Sequence, residues 1–329
     1  MAQAVSWWRY ALVGVLVGAL ALAFYVAATG FPSSKVDAQD FVDLQQGATP
    51  HEGFRRAHAK GFCVAGDFVS SGALADYSTA TLFAAGSTPL QGRISIAGNN
   101  PMAPDLKAPV RSLALSIETA AGDVWRTAMN TPPVMAVRHP QDFYQQLVAL
   151  GNGTIQQFFA EHPESATFRE WAAGYRASGS FATEVYHSIN AFYLVAANGE
   201  RQAVRWRAVP RAELVDTVPA EFADSDDALQ QEFTARLREQ PVVFDLVFTL
   251  AEASDDETDP TVLWPAARTE IVAGQIVLRS ATAQLEGDCN AINFDPLVLP
   301  DGMAPTADKI LRARSAAYAE SYRRRAREQ

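Results

Sequence analysis

Two short stretches, one near each end of the chain, hold residue types able to move protons and bind a metal. Near the start, Arg55-Arg-Ala-His-Ala-Lys-Gly61 sets His58 among basic residues. Imidazole gains and loses a proton near neutral pH, which is what general acid–base work requires. Near the end, Arg314 precedes Tyr318 by four residues, and on a helix that spacing puts both side chains on one face. A guanidinium beside a phenol favours the phenolate, and a phenolate is a hard anionic ligand suited to ferric haem iron. Taken one at a time, the plainer readings are a solvated basic turn and an ordinary surface Arg–Tyr pair.

Further motifs lie between these two stretches. In order they are Gly92-Arg-Ile-Ser95, Asn130-Thr-Pro-Pro133 leading to Val137-Arg138, and His187-Ser-Ile-Asn-Ala-Phe192 with Ala197-Asn-Gly199. Val262-Leu-Trp-Pro265, Phe294-Asp-Pro296 and Pro305-Thr-Ala-Asp-Lys309 follow. With the two end stretches they resemble the signature regions of the haem catalases, from about residue 50 to 327. The resemblance implies haem iron as cofactor and assigns roles. His58 is the distal base that takes a proton from peroxide and returns it to the leaving oxygen, and Asn130 holds the second peroxide oxygen. Tyr318 is the proximal iron ligand, its hydroxyl facing the barrel interior, and Arg314 keeps it ionised. Arg55, Arg93 and Arg325 pair with the haem propionates; Arg323 and Arg324 are rivals to Arg325. Ser95 is either a hydrogen-bond partner for His58 or a plain strand serine.

The chain also departs from that family's pattern. It ends 11 residues after Tyr318, and the long arm that wraps neighbouring subunits is missing. This implies a monomer or small homo-oligomer. Met135, followed by Ala136, stands where a distal-pocket Phe is usual. Arg111-Ser112 lacks the channel Asp, Ala316 replaces an aromatic, and Tyr322 replaces a His. A wider entrance follows. The pattern is similar to the short catalase-related peroxidases of bacterial periplasms, which oxidise small organic donors with hydrogen or organic peroxides. A true catalase and a haem- or ligand-binding barrel without turnover are the alternatives.

The elements that must position these residues show in the hydropathy pattern. Period-two alternation marks strands at Phe62–Phe68, Gly92–Ala97 and Ser112–Glu118, then at 134–137, 191–196, 204–209, 244–250 and 275–278. Helical patterns fall at 142–150, 154–159, 167–175, 226–239 and 307–327. Many short strands with inserted helices and one final helix predict an α+β fold. Its expected form is a catalase-like antiparallel β-barrel with helical insertions and a C-terminal haem-ligand helix.

Before the barrel, Tyr10–Ala28 gives 19 uncharged residues after Arg9, long enough to span a bilayer. Residues 1–30 therefore read as a transmembrane anchor or a signal helix, and 31–329 as one haem-binding domain. Either alternative predicts a periplasmic body, anchored to the cytoplasmic membrane or released after cleavage. The net charge of −10 argues against nucleic acid. Nucleotide-binding glycine motifs and zinc-type Cys/His clusters are absent from the sequence. Cys63 and Cys289 could pair in an exported protein, but the plainer reading is two small buried hydrophobes.

Overall fold

A computed structural model of the chain describes residues 36–328. The apolar run at 10–28 lies outside them. No helix among the described residues is long and apolar enough to cross a membrane.

Ten antiparallel strands form one sheet. They are β1 (Gly61–Ser70), β2 (Gly86–Ile96), β3 (Arg111–Glu118), β4 (Val124–Asn130), β5 (Tyr186–His187), β6 (Phe192–Val195), β7 (Arg201–Pro210), β8 (Val242–Leu250), β9 (Glu270–Ala283) and β10 (Met303–Pro305). The order is β10-β6-β7-β5-β4-β3-β2-β1-β9-β8, and a further β7–β8 pairing closes eight of the strands into a barrel. β6 and β10 continue the sheet outward from β7.

Successive side chains on a strand point to opposite faces, and this alternation separates core from site. Phe62, Val64, Ile94, Leu113, Leu115, Trp125, Met129, Trp206 and Phe248 point inward and belong to one buried cluster. Trp125 and Trp206 meet edge to face at 5.2 Å, and Phe248 lies 5.3 Å from Trp206. Such aromatic pairs add about 0.5–1.5 kcal/mol each beyond the area they bury. An eight-stranded barrel is just wide enough for side chains to fill, and these aromatics fill it. The residues that alternate with them are left for the outer wall.

The helices are α1 (Ala38–Gln46), α2 (Pro140–Gly151), α3 (Ile155–Glu161), α4 (Ala166–Gly174), α5 (Ala228–Glu239) and α6 (Lys309–Ala326). α1 is absent from the sequence expectations. It starts at a capping box in which Asp37 accepts from the Asp40 amide at 2.9 Å and Asp40 accepts from the Asp37 amide at 3.0 Å. Its Phe41 packs on Phe143 and Tyr144 of α2. α6 starts at Asp308, whose carboxylate caps Ile310 and Leu311.

Two local expectations fail. Residues 134–137 form no strand, because Pro132 and Pro133 remove two ladder donors just before them. Cys63 and Cys289 are not separate hydrophobes: they form a disulfide, with Cα atoms 5.4 Å apart across 226 residues of sequence.

Candidate functional site

One register row crosses the outer wall of the barrel. Gly61 of β1 pairs with Ser95 of β2, Ser95 with Ser112 of β3, Ser112 with Asn130 of β4, and Asn130 with His187 of β5. His58 enters β1 three residues before Gly61. Its φ of 52° lies in the left-handed region, a conformation that costs a non-glycine residue of order 1 kcal/mol and that gathers at functional sites. The ring reaches past β2 to β3, where Nδ1 lies 3.2 Å from Ser112 Oγ. The same hydroxyl donates to Asn130 Oδ1 at 2.5 Å.

This arrangement fixes protons. With its own hydrogen spent on Asn130, Ser112 can only accept from His58, so the hydrogen of the neutral ring is on Nδ1 and Nε2 is a free base. With Oδ1 occupied, Asn130 has its NH2 group left for another partner. Of the two serines on this row, Ser112 and not Ser95 is hydrogen-bonded to His58.

The turn around His58 is not a solvated basic turn. Arg56 and Lys60 are buried. Arg56 pairs with Glu328, and Lys60 with Asp105 at 3.2 Å and Asp227 at 2.8 Å. Arg55 has no such partner. Its Nη2 donates to the Cys289 and Ile292 carbonyls at 3.0 and 2.9 Å, while Nη1 is buried with no partner.

The next row along the wall pairs Cys63, Arg93, Ala114 and Ala128. Arg93 lies back across Gly61, and only glycine fits there because a Cβ would run into the Ile94 carbonyl as well as the Arg93 guanidinium. It donates to the His58 carbonyl at 2.8 Å and to Gln284 Oε1, clamping the strained residue by its backbone.

α6 covers this row. Arg314, Tyr318 and Arg325 recur near the helical period and share one face. The Arg314 guanidinium sits 6.0 Å from the Tyr318 ring centroid. It donates to the Ala128 carbonyl at 3.0 Å and to Asn190 Oδ1, and Asn190 in turn donates to Asp308 at 2.6 Å. Ile189, beside Asn190, is the other non-glycine residue with positive φ among the described residues. Tyr318 does not join the buried cluster of the barrel interior: it packs outside, against the cluster of Cys63, Cys289 and Phe294, on which Ala114 also packs.

Arg325 is buried and donates to the Asn290 carbonyl at 2.8 Å. Its rivals are spent elsewhere: Arg323 and Arg324 both pair with Glu320, and Arg324 also with Asp43.

The site is positive. Burial lowers the pKa of Arg55 well below its ordinary value, with Arg93 and Arg325 adding to the effect. Burial and then Arg325 bring Arg93 to about 9. Among the described residues, none of these three arginines makes an ion pair. His58 falls to about 4, from burial first and then from Arg93, Arg314 and Arg55. Its imidazole is therefore neutral at pH 7 and ready to accept a proton.

Met135 follows Asn130 in the irregular segment after β4, its amide bonded to the Pro260 carbonyl at 2.8 Å. Ala316 and Tyr322 are exposed on α6. Ser112, Asn190, Asp308 and Gln284 were not among the expected site residues. Strand alternation put Ser112 and Asn130 on one face only once their hairpin register was known.

Comparison with known proteins points one way. The family model described as Catalase matches residues 52–328. The chain is 31% identical to a catalase-related peroxidase of Synechococcus elongatus, covering 98% of this chain and 97% of that one. It is 28% identical to a catalase-related peroxidase of Mycolicibacterium paratuberculosis, covering 85% and 90%. A solved structure titled as that of a bacterial catalase superposes with a TM-score of 0.73 at 23% identity, over 83% of this chain and 57% of that one.

Proposed function

The chain belongs to the catalase family, and from that premise we propose a haem-dependent peroxidase that uses hydrogen peroxide or alkyl hydroperoxides to oxidise small organic donors. The residues fit haem by their charge. Buried cations need anionic partners; Arg93 and Arg325 are buried, Arg55 is half-buried, none of the three has an acidic partner among the described residues, and Arg55 Nη1 has no hydrogen bond among them. Two haem carboxylates supply what is missing, and Tyr318 supplies an anionic oxygen for the iron.

When bound, haem supplies the iron that accepts oxidising equivalents from peroxide and delivers them to a donor. The chain's own residues manage the protons. His58 Nε2 takes the proton from one peroxide oxygen and hands it to the other as it leaves. Asn130 orients the second oxygen through its free NH2 group. Arg314, held by Asn190 and Ala128, keeps a positive charge over the Tyr318 ring. The observation that carries the reading is the joining of His58 to Asn130 through one serine, on the wall against which Tyr318 packs.

The balance of reactions follows from the entrance. Catalase turnover needs a second peroxide to arrive before any donor does. Met135 is flexible and adapts to varied partners, so larger donors gain entry. Dye oxidation driven by either peroxide, with weak oxygen release, is the expected result. Met135→Phe narrows the site and lowers oxidation of bulky dyes more than cleavage of hydrogen peroxide. Vigorous oxygen release with negligible dye oxidation identifies a small true catalase instead. Bound haem with neither reaction identifies a carrier.

The same reading sets the body in the periplasm, anchored by the segment at 10–28 or released from it. The Cys63–Cys289 bridge supports this, since disulfides persist in oxidising compartments. Protease added to spheroplasts should digest an anchored body, and a released one should appear in the periplasmic fraction. A body protected inside the spheroplasts contradicts the assignment.

A further inference from the structure

The segment from Gln284 to Ile292 joins β9 to the approach to α6, and most of it is turn and short 3-10 helix. Irregular backbone of this kind has little to hold it in place. Yet it bonds to all three unpaired arginines of the site. Gln284 Oε1 accepts from Arg93, Nε at 3.0 Å and Nη2 as well. The Cys289 and Ile292 carbonyls accept from Arg55, and the Asn290 carbonyl from Arg325. Besides these hydrogen bonds, the disulfide to Cys63 ties the segment covalently to the wall, and the register neighbour of Cys63 on β2 is Arg93. Gly287 lies flat on that bridge, where a Cβ would meet Cys63 Sγ at 2.5 Å. Gln284 is buried, and its Nε2 donor has no partner.

We propose that this disulfide-tethered segment is a working part of the haem-carboxylate cradle. Its carbonyls and Gln284 Oε1 aim the three arginines, and Gln284 Nε2 is a further donor to a carboxylate. The inference rests on the haem reading above. No carbonyl of the segment binds the anion, because both are acceptors; the carbonyls act only through the arginines they orient. The bridge keeps that orientation by holding the segment against β1.

The test measures haem loss from the full-length protein to an excess of a haem-free acceptor, with protohaem and with its dimethyl ester, which has no free carboxylates. Gln284→Glu gives Arg93 a carboxylate of its own and turns a donor into a repelling charge. Protohaem should then leave about 10 to 100 times faster, the worth of a charge-assisted hydrogen bond, while the ester leaves at the wild-type rate. Cys63→Ala with Cys289→Ala should also speed protohaem loss more than ester loss. Because the double variant can fail to fold, Gln284→Leu, with the bridge intact, provides the second reading and should behave as Gln284→Glu does, to a smaller extent. Wild-type rates for protohaem in the Gln284 variants overturn the proposal and leave the haem reading standing. Equal acceleration of protohaem and ester also overturns it, since that is general loosening. A wild-type protein that binds neither compound overturns the haem reading itself, and this proposal with it.

Discussion

Tyr318→Phe protein, purified in the same way as the wild type, carries far less haem, and whatever it keeps has lost its tyrosinate-type absorption. The phenol oxygen is the one protein atom assigned to iron. Phenylalanine retains the ring that packs against the Cys63–Cys289–Phe294 cluster, so the barrel stays folded and the loss is read at the metal. The magnitude is bounded from below. Outer partners of metal ligands are worth about 10–100-fold in metal affinity or activity, and losing the ligand itself exceeds that. Arg314→Leu should fall within the outer-partner range, because it leaves the oxygen and removes only the charge that Asn190 and Ala128 hold over it. Haem content per chain and the far-ultraviolet circular dichroism of each variant decide the matter. Full haem with an unaltered spectrum in Tyr318→Phe refutes the ligand.

His58→Ala leaves haem bound and slows cleavage of the peroxide bond by about 10²–10⁴-fold, the usual worth of a positioned acid–base group. The pH profile gives the sign. A base works only when unprotonated, so activity is lost as pH falls through the pKa of His58. That pKa is lowered to about 4, which moves the acid limb below the ordinary imidazole range near 6.5. Haem carboxylates offset the arginines that contribute to the shift, but burial is its largest cause and persists in the loaded protein. The wild type should thus keep at least half of its neutral-pH rate at pH 6, and the residual rate of His58→Ala should show no such limb. Ser112→Ala should weaken the rate less than His58→Ala does, since it frees the ring tautomer and the Asn130 amide without removing either group. A wild-type limb at or above pH 6.5, or an unchanged rate in His58→Ala, contradicts the assignment. Stopped-flow consumption of hydrogen peroxide by the haem-loaded proteins measures both.

The strands that build the wall were legible because their alternation is strong: inward Phe62 and Val64 against outward Cys63, and inward Leu113 and Leu115 against outward Ser112 and Ala114. β4 was missed, since Ala128 and Asn130 are poor strand formers. Helical spacing put Tyr318 and Arg314 on one face, but alone it could not tell them from a surface Arg–Tyr pair; their roles came from the family resemblance. Choosing between Ser95 and Ser112 was not possible from sequence. Both serines lie on the same outward row, on adjacent strands, and the direction of the His58 ring depends on a φ that no pattern encodes. The disulfide stood as the second reading because 226 residues separate its partners, and hydropathy carries no long-range distance. Gln284 lies at the irregular end of a strand, where periodicity gives no signal, and only the unpaired arginines around it draw attention to it. The capping box of α1 uses Asp40 where Glu is the usual signal.

The proposed function requires that the chain bind haem through Tyr318. Its most direct test is the absorption spectrum and haem stoichiometry of the folded full-length protein after reconstitution with ferric protohaem. The account predicts one haem per chain with the spectrum of tyrosinate-ligated ferric iron. A folded chain that takes up no haem, or one whose iron shows histidine or water in place of tyrosinate, contradicts it.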